Sequence, residues 1–463
     1  MKGGRRWSIG YISAADRNEA APPGAVTGCA SWMASRSTVF VDTMTPAVRI
    51  SGSRDPVKAD VVVVGSGAFG ASVAFHLARL GQTVIVVDRF APVSQTSPRA
   101  AGVTAHVPLD DDLTRIGLRS IDKLLAFQAD TGQPLNLHRN GAVKLCRSSR
   151  YESLIQEEIR RGRRFGVSIR EITSTELSDL IPWIQSGGVA SAWYATDECY
   201  FNPPDLPVGY VNSAQSLGAV VLSHTEVTGF HVTGSQIDYV LSSAGPIETS
   251  NVVCAAGAWT RSVMAMLDQD IPIVPTRHQL VITEPLDFVR PNHPTIRVVD
   301  AGVYIRPEKD ALLVGAYESA PQQYPSLPQA PDFSIDSLNL DVEPLRSTLK
   351  EIADLGGWLA TVAIRELRGG LPTITPDGRF IVDRLASPHN FFVLTGCNVM
   401  GLYCSPALGE LLADWVVSGT AHADLEPFGL RRFETGDFLD TDRLLAACRQ
   451  VYGHKFTHEW NAA

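Results

Sequence analysis

Residues 59–90 read ADVVVVGSGAFGASVAFHLARLGQTVIVVDRF, and no other stretch restricts the fold so tightly. Asp60 leads into Val61, Val62, Val63 and Val64, a β-branched run suited to a strand buried on both faces. Gly65, Gly67 and Gly70 follow in G-x-G-x-x-G spacing. The first glycine permits a tight strand-to-helix turn, the second lets the backbone approach a pyrophosphate, and the third allows close helix packing. A helix is predicted over 68–80, ended by Gly81, and its unpaired N–H groups would face the phosphate. A second strand over 83–87 ends in Asp88, placed to accept hydrogen bonds from ribose hydroxyls and to repel a 2′-phosphate. Strand, turn, helix and acid agree, which is the context that turns the glycine spacing into a dinucleotide site.

At 463 residues the chain exceeds one ordinary core, and about two to three domains are expected. A net charge of −9 offers no general attraction to nucleic acid or to anionic lipid. No apolar run is long enough to span a membrane, and none forms a secretory signal, so a cytoplasmic location is expected. The seven cysteines lack C-x-x-C spacing and read as free thiols rather than as a zinc or disulfide framework. His454 and His458 stand four apart, but with Lys455 between them and no third ligand nearby the expectation is no metal.

Residues 1–57 carry no sustained period and read as a disordered or loosely packed extension. Helical periodicity follows over 113–128, 151–165 and 205–217, with a short strand at 219–222 and a strand entering a small-residue turn over 248–259. The segment 271–318 alternates in the manner of strands. A buried strand over 391–395, a loop bracketed by Gly396 and Gly401, and a helix over 406–417 close the pattern. The fold class is therefore α/β with an α+β second domain: a discontinuous Rossmann-like domain carrying an inserted antiparallel-sheet substrate domain. The expected division gives the nucleotide domain 58–145, 206–260 and 366–425, the substrate domain 146–205 and 261–365, and a C-terminal tail 426–463.

The segments DVVVVGSGAFG, TSPRAAGV, VVCAAGAWT, RHQLVITEP, GVYIRPEKDALLVGAYE, GLPTITPDG and TGCNVMGLYCSPALGELLADW occur in this order over roughly 58–420. Together they resemble the FAD-dependent amine and amino-acid oxidoreductase family that contains D-amino-acid oxidase, glycine oxidase, sarcosine oxidase and the sarcosine and dimethylglycine dehydrogenases. The likeness is strongest to the flavin domain of the last two. The resemblance implies FAD as cofactor, held by Gly65, Gly67, Ala68, Phe69, Gly70, Asp88, Arg89, Ser97, Ala101, Gly102, Val227, Ala256, Gly257, Gly396, Asn398, Gly401 and Leu402. It places His278 and Tyr304 at the substrate as catalytic residues and leaves Arg277, Arg306 and Arg368 as candidates for gripping a carboxylate. A histidine near its ordinary pKa of about 6.5 would help to keep a substrate amine unprotonated. The helix starting near Pro406 would favour negative charge on the reduced ring.

Departures sharpen the expectation. Arg99 stands where sarcosine and dimethylglycine dehydrogenases carry a flavin-linking histidine, and Gly370 lies near the linking cysteine of sarcosine oxidases, so noncovalent FAD is expected. The lysine linked with oxygen activation in sarcosine oxidase falls near Leu313, and the oxidant, oxygen or an electron carrier, stays open. The implied reaction is oxidation of the C–N bond of an amino acid or N-methyl amino acid by hydride transfer to flavin, giving an imine that hydrolyses. A D-amino-acid dehydrogenase or oxidase, or a non-catalytic regulatory or complex subunit on the same fold, is the alternative. The expected partner is a small amine or amino-acid substrate; oligomeric state is open.

Overall fold

The computed structural model describes residues 57–108, 110–327, 333–433, 438 and 440–459. The extension expected over 1–57 lies outside them except for Val57, which opens the first strand, Val57–Val64. That strand lies between the parallel partners Val84–Val87 and Gly245–Cys254, and its valine run meets apolar residues on both sides from Val62 on, as Val62↔Ile85 and Val63↔Val253 show, with Asn251 beside Val61. The sheet runs Ile381–Arg384, Phe391–Thr395, Gly245–Cys254, Val57–Val64, Val84–Val87, Val220–Leu222, with the hairpin strands Val227–Thr233 and Gln236–Ser242 added beside Gly245–Cys254. Its strands come from three separated stretches of chain. On one face the helix Ala68–Arg79 packs against Asp205–Ser216 and Gly401–Ser418, and Asp111–Thr131 packs on Gly401–Ser418. The core there joins Val61, Val63, Leu77, Leu113 and Leu408.

A second sheet runs Ile364–Gly370, His278–Thr283, Ala311–Ala316, Val303–Glu308, Thr295–Val298, Ala142–Cys146, Ser191–Ala195, Ile169–Glu171. It is antiparallel except where Thr295–Val298 meets Ala142–Cys146 in parallel. Ala142–Cys146 is a strand of this sheet, so the expected boundary at 145/146 falls inside it. Every residue of His278–Thr283 and Ala311–Ala316 is buried, yet the two-residue period still sorts the faces. Val281, Val303, Ile305 and Val314 pack under the helix Glu343–Glu351 through Leu345 and Leu349. Leu280, Ile282, Tyr304 and Leu313 turn the other way and pack with Ala101. His278 and Tyr304 share that second face.

Two elements depart from the sequence reading. The helix expected over 406–417 spans Gly401–Ser418, with Pro406 inside it. Proline has no N–H for the Leu402 carbonyl, and the Ser405 hydroxyl donates to that carbonyl instead, at 2.8 Å. The segment expected as a tail contains the helix Thr441–Gly453, started by the Asp440 carboxylate accepting from the Arg443 N–H. Leu444, Cys448, Val451 and Tyr452, spaced at helical intervals, are buried against Val274 and Ile374. Among the described residues no helix is long and apolar enough to cross a membrane.

Candidate active site

A cavity of about 1140 Å³ is lined both by the glycine turn and by the inner face of the second sheet. At the turn, Gly65 has φ +100°, and a β-carbon there would stand 2.5 Å from the Ala255 carbonyl oxygen. A β-carbon on Gly70 would stand 2.8 Å from the Gly65 carbonyl carbon and nearer still to its oxygen, so this glycine packs the helix onto its own turn. No side chain caps the helix at Gly67 and no acid sits in its first turn; only the Ala68 N–H is taken, by Ser97 Oγ at 3.0 Å. An uncapped helix end opening on a cavity suits the phosphates of a dinucleotide. Asp88 fixes the turn: its carboxylate accepts from the Ser66 N–H at 2.7 Å, from the Ser66 hydroxyl, and from the Phe90 N–H at 2.8 Å.

Gly65, Gly67, Ala68, Phe69, Asp88, Arg89, Ser97, Ala101, Gly102, Val227, Ala256, Gly257, Gly401 and Leu402 all line this one cavity. Gly70, Gly396 and Asn398 do not. Gly70 is used up in packing; Asn398 is buried, its Oδ1 accepting from the Thr375 N–H at 3.0 Å and its Nδ2 donating to the Gly396 carbonyl at 2.7 Å. The loop reaches the cavity through Cys397, Val399 and Met400 instead. Val399, a β-branched residue, is held at φ 64°, in the left-handed region that such residues rarely adopt. The helix N-terminus that faces the cavity is therefore at Gly401, five residues before Pro406.

On the sheet side His278 is clasped by two phenols. Its Nδ1 lies 2.7 Å from the Tyr452 hydroxyl and its Nε2 2.8 Å from the Tyr304 hydroxyl. Burial pushes the imidazole down to about 4 and holds both phenols well above their ordinary range. His278 is thus neutral near pH 7, which corrects the expectation of a base near 6.5. A neutral ring donates from one nitrogen and accepts at the other, so the three groups form a directional hydrogen-bonded chain from Tyr452 to Tyr304. Tyr317 packs against His278, with ring centroids 5.1 Å apart, and lines the cavity with Tyr304 and His278.

The three arginines expected at the substrate are placed elsewhere. Arg277 bonds the Asn339 carbonyl at 2.8 Å and pairs with Glu318 at 3.2 Å. Arg368 pairs with Glu366 on the outer strand. Arg306 pairs with Glu308 at 2.7 Å and donates to the Ala101 carbonyl at 2.6 Å, positioning a cavity residue without lining the cavity itself. Glu308 and Glu366 stand two residues from their arginines, on the same face of the same strand, whereas Glu318 reaches Arg277 only through the fold.

Sequence reasoning missed Tyr452, Lys455, Phe456 and His458, because the last segment was read as a tail. The period of Leu444, Cys448, Val451 and Tyr452 was the signal for an ordered helix there. It also missed the cavity positions Gly370, Leu371, Pro372 and Thr373, although GLPTITPDG had been singled out as a motif.

A family model described as FAD dependent oxidoreductase matches residues 60–415. The chain is 27% identical to 4-methylaminobutanoate oxidase (formaldehyde-forming) of Paenarthrobacter nicotinovorans, over 88% of this chain and 50% of that protein. It is 25% identical to mitochondrial dimethylglycine dehydrogenase of Mus musculus, over 86% of this chain and 46% of that one. The chain thus spans about half the length of these curated relatives. In fold it is similar to L-proline dehydrogenase from P. horikoshii, with a TM-score of 0.74, 24% identity, and coverage of 82% of this chain and 99% of that chain.

Proposed function

From a chain that belongs to the family of FAD-dependent oxidoreductases, we propose an enzyme that oxidises the C–N bond of an N-substituted amino acid, N-methyl amino acids foremost. The observation that carries this reading is the Tyr452–His278–Tyr304 chain, set on the wall of the cavity that also receives the uncapped glycine turn. Bound FAD supplies the hydride-accepting chemistry. The protein's residues bind, orient and keep out water.

Gly65, Gly67, Ala68 and Ser97 would hold the cofactor's phosphates, and Ala101, Gly102, Gly401 and Leu402 would leave room for its ring system. Tyr304 orients the substrate, and neutral His278 sets which way the phenol proton points. The reacting form of the substrate is the free amine, whose proton passes to solvent before the hydride leaves, since an imidazole held at about 4 is too weak a base to keep it near pH 7. Release of an imine and its hydrolysis then give an amine and a carbonyl product. Three of the residues around the histidine, Tyr304, Tyr317 and Tyr452, are bulky and aromatic, which limits water at the reacting carbon.

The test is the visible spectrum of the purified chain followed by anaerobic mixing with sarcosine, dimethylglycine, other N-methyl amino acids and D-amino acids. Bleaching near ~450 nm by an N-methyl amino acid supports the reading. Bleaching by D-amino acids alone replaces the substrate class, and a colourless chain that takes up no FAD rejects it altogether.

A further inference from the structure

We propose that Lys455 is the residue that holds the substrate's carboxylate, an assignment that rests on the functional reading above and extends it. Six described residues that line the cavity carry lysine or arginine cations, and five of them already face a carboxylate. Arg89 lies 3.6 Å from Glu226, Arg261 pairs with Asp270 at 3.0 Å, and Arg297 pairs with Glu198 at 2.8 Å. Arg99 pairs with Asp336, and Lys144 with the fully buried Glu158. Lys455 Nζ is enclosed and has no hydrogen-bond partner among the described residues.

Its position is fixed from both sides. Three residues earlier Tyr452 bonds His278, and one residue later Phe456 packs on Tyr317 with centroids 5.2 Å apart. Glu459 then clips the segment to Arg150 at 2.5 Å and to His454 at 3.0 Å. The lysine therefore lines the same cavity as Tyr304 and His278, on the segment that carries Tyr452. An ammonium shut away from water without a counter-ion is an unfavourable arrangement that an incoming anion relieves. Its flexible four-carbon stem lets Nζ turn toward a ligand without backbone movement. Burial accordingly holds the Lys455 amine down at about 8, with Lys144 acting in the same direction and Asp110 in the opposite one. Asp110 itself is taken by Arg379, at 2.6 Å.

The experiment uses the full chain loaded with FAD and two probes, (methylthio)acetate and its uncharged methyl ester, titrated against the flavin's visible spectrum. Lys455→Met should weaken the carboxylate roughly a hundredfold and leave the ester unchanged, with Lys455→Arg recovering part of the loss. Equal carboxylate affinity in wild type and Lys455→Met overturns the assignment. So does unchanged affinity with slower reoxidation by oxygen, which would place the ammonium at the oxidant instead. Lys455→Gln repeats the comparison if the methionine variant does not fold. A wild-type chain that retains no FAD rejects the functional reading as well, whereas retained FAD with indifferent variants rejects only the role of Lys455.

Discussion

Tyr304 and Gly315 face each other across the antiparallel pair Val303–Glu308 and Ala311–Ala316, and the tyrosine ring lies over the glycine. A β-carbon on Gly315 would stand 2.7 Å from Tyr304 Cε1 and nearer still to its hydroxyl. The glycine is what lets the phenol lie flat enough to reach His278 Nε2. Gly315→Ala should therefore destabilise the protein by about 1–3 kcal/mol through overpacking. It should also slow flavin reduction while FAD stays bound, because the displaced phenol no longer meets the histidine. Denaturant midpoints and anaerobic reduction rates check both halves; a normal rate in a folded Gly315→Ala protein contradicts the role given to Tyr304.

His278→Ala removes the centre of the hydrogen-bonded chain and leaves two buried phenols without their shared partner. Reduction of the flavin by substrate should slow on the order of a hundredfold, with FAD occupancy unchanged. Tyr452→Phe separates orientation from structure: it removes only the bond at Nδ1 and should shift the pH profile of reduction more than it shifts stability. Equal rates in all three proteins would leave the chain with a purely structural part.

The first sheet was legible because its signals are local. The valine run, the glycine spacing and the terminal Asp88 each act within one βαβ unit; the helix and second strand form as read to within one residue, and the first strand ends with the valine run but opens earlier, at Val57. The alternation over 271–318 likewise placed His278 and Tyr304 in neighbouring parts of one sheet, which the structure joins through the strand Ala311–Ala316. What stayed hidden depends on distant partners. Nothing in the sequence near Arg277 reveals that Glu318 and the Asn339 carbonyl absorb it. The C-terminal segment was lost for a different reason: its apolar period is short, and only docking beside Val274 and Ile374 shows why it is kept.

Asp88, expected at a ribose, lines the cavity; its Oδ2 accepts from the glycine turn and its Oδ1 from the Phe90 N–H. Asp88→Ala should leave the Ser66 N–H and hydroxyl unpaired and slacken the turn, at a cost of about 1–3 kcal/mol for the unpaired groups. FAD should then be lost on prolonged dialysis. Asp88→Asn, which keeps an acceptor, should retain more of it. Undiminished flavin in dialysed Asp88→Ala would free the carboxylate from any part in holding the cofactor.

Arg99 stands where sarcosine and dimethylglycine dehydrogenases carry a flavin-linking histidine, and it is tied to the Ser94 and Gln95 carbonyls and to Asp336. Cys397 lines the cavity, but burial pushes its thiol up and away from the reactive thiolate. FAD should therefore come free in the supernatant when the holoprotein is precipitated with acid. Yellow colour retained in the washed pellet would point to a covalent bond, with Cys397→Ser as the variant that should abolish it.

Stability should fall in mild acid for a reason set by imidazoles that burial holds below their ordinary range, His278, His76, His106 and His458 among them. In the unfolded chain a histidine takes a proton near pH 6.5, whereas the folded protein holds His278 down at about 4 and His76 at about 3, in each case chiefly through burial. Between those values the unfolded state binds more protons, so unfolding becomes easier as pH falls. The contribution is complete above about pH 6.5 and is lost progressively down to the folded values, amounting to on the order of 3 kcal/mol for His278 alone. Denaturant midpoints at pH 7.5, 6 and 5 (roughly spanning the upper part of that window) should decline steadily in the wild type. His278→Asn should flatten the decline without abolishing it, because His76, His106 and His458 remain; a slope that does not change on removing His278 would mean that the imidazole titrates in the folded protein as it does in water.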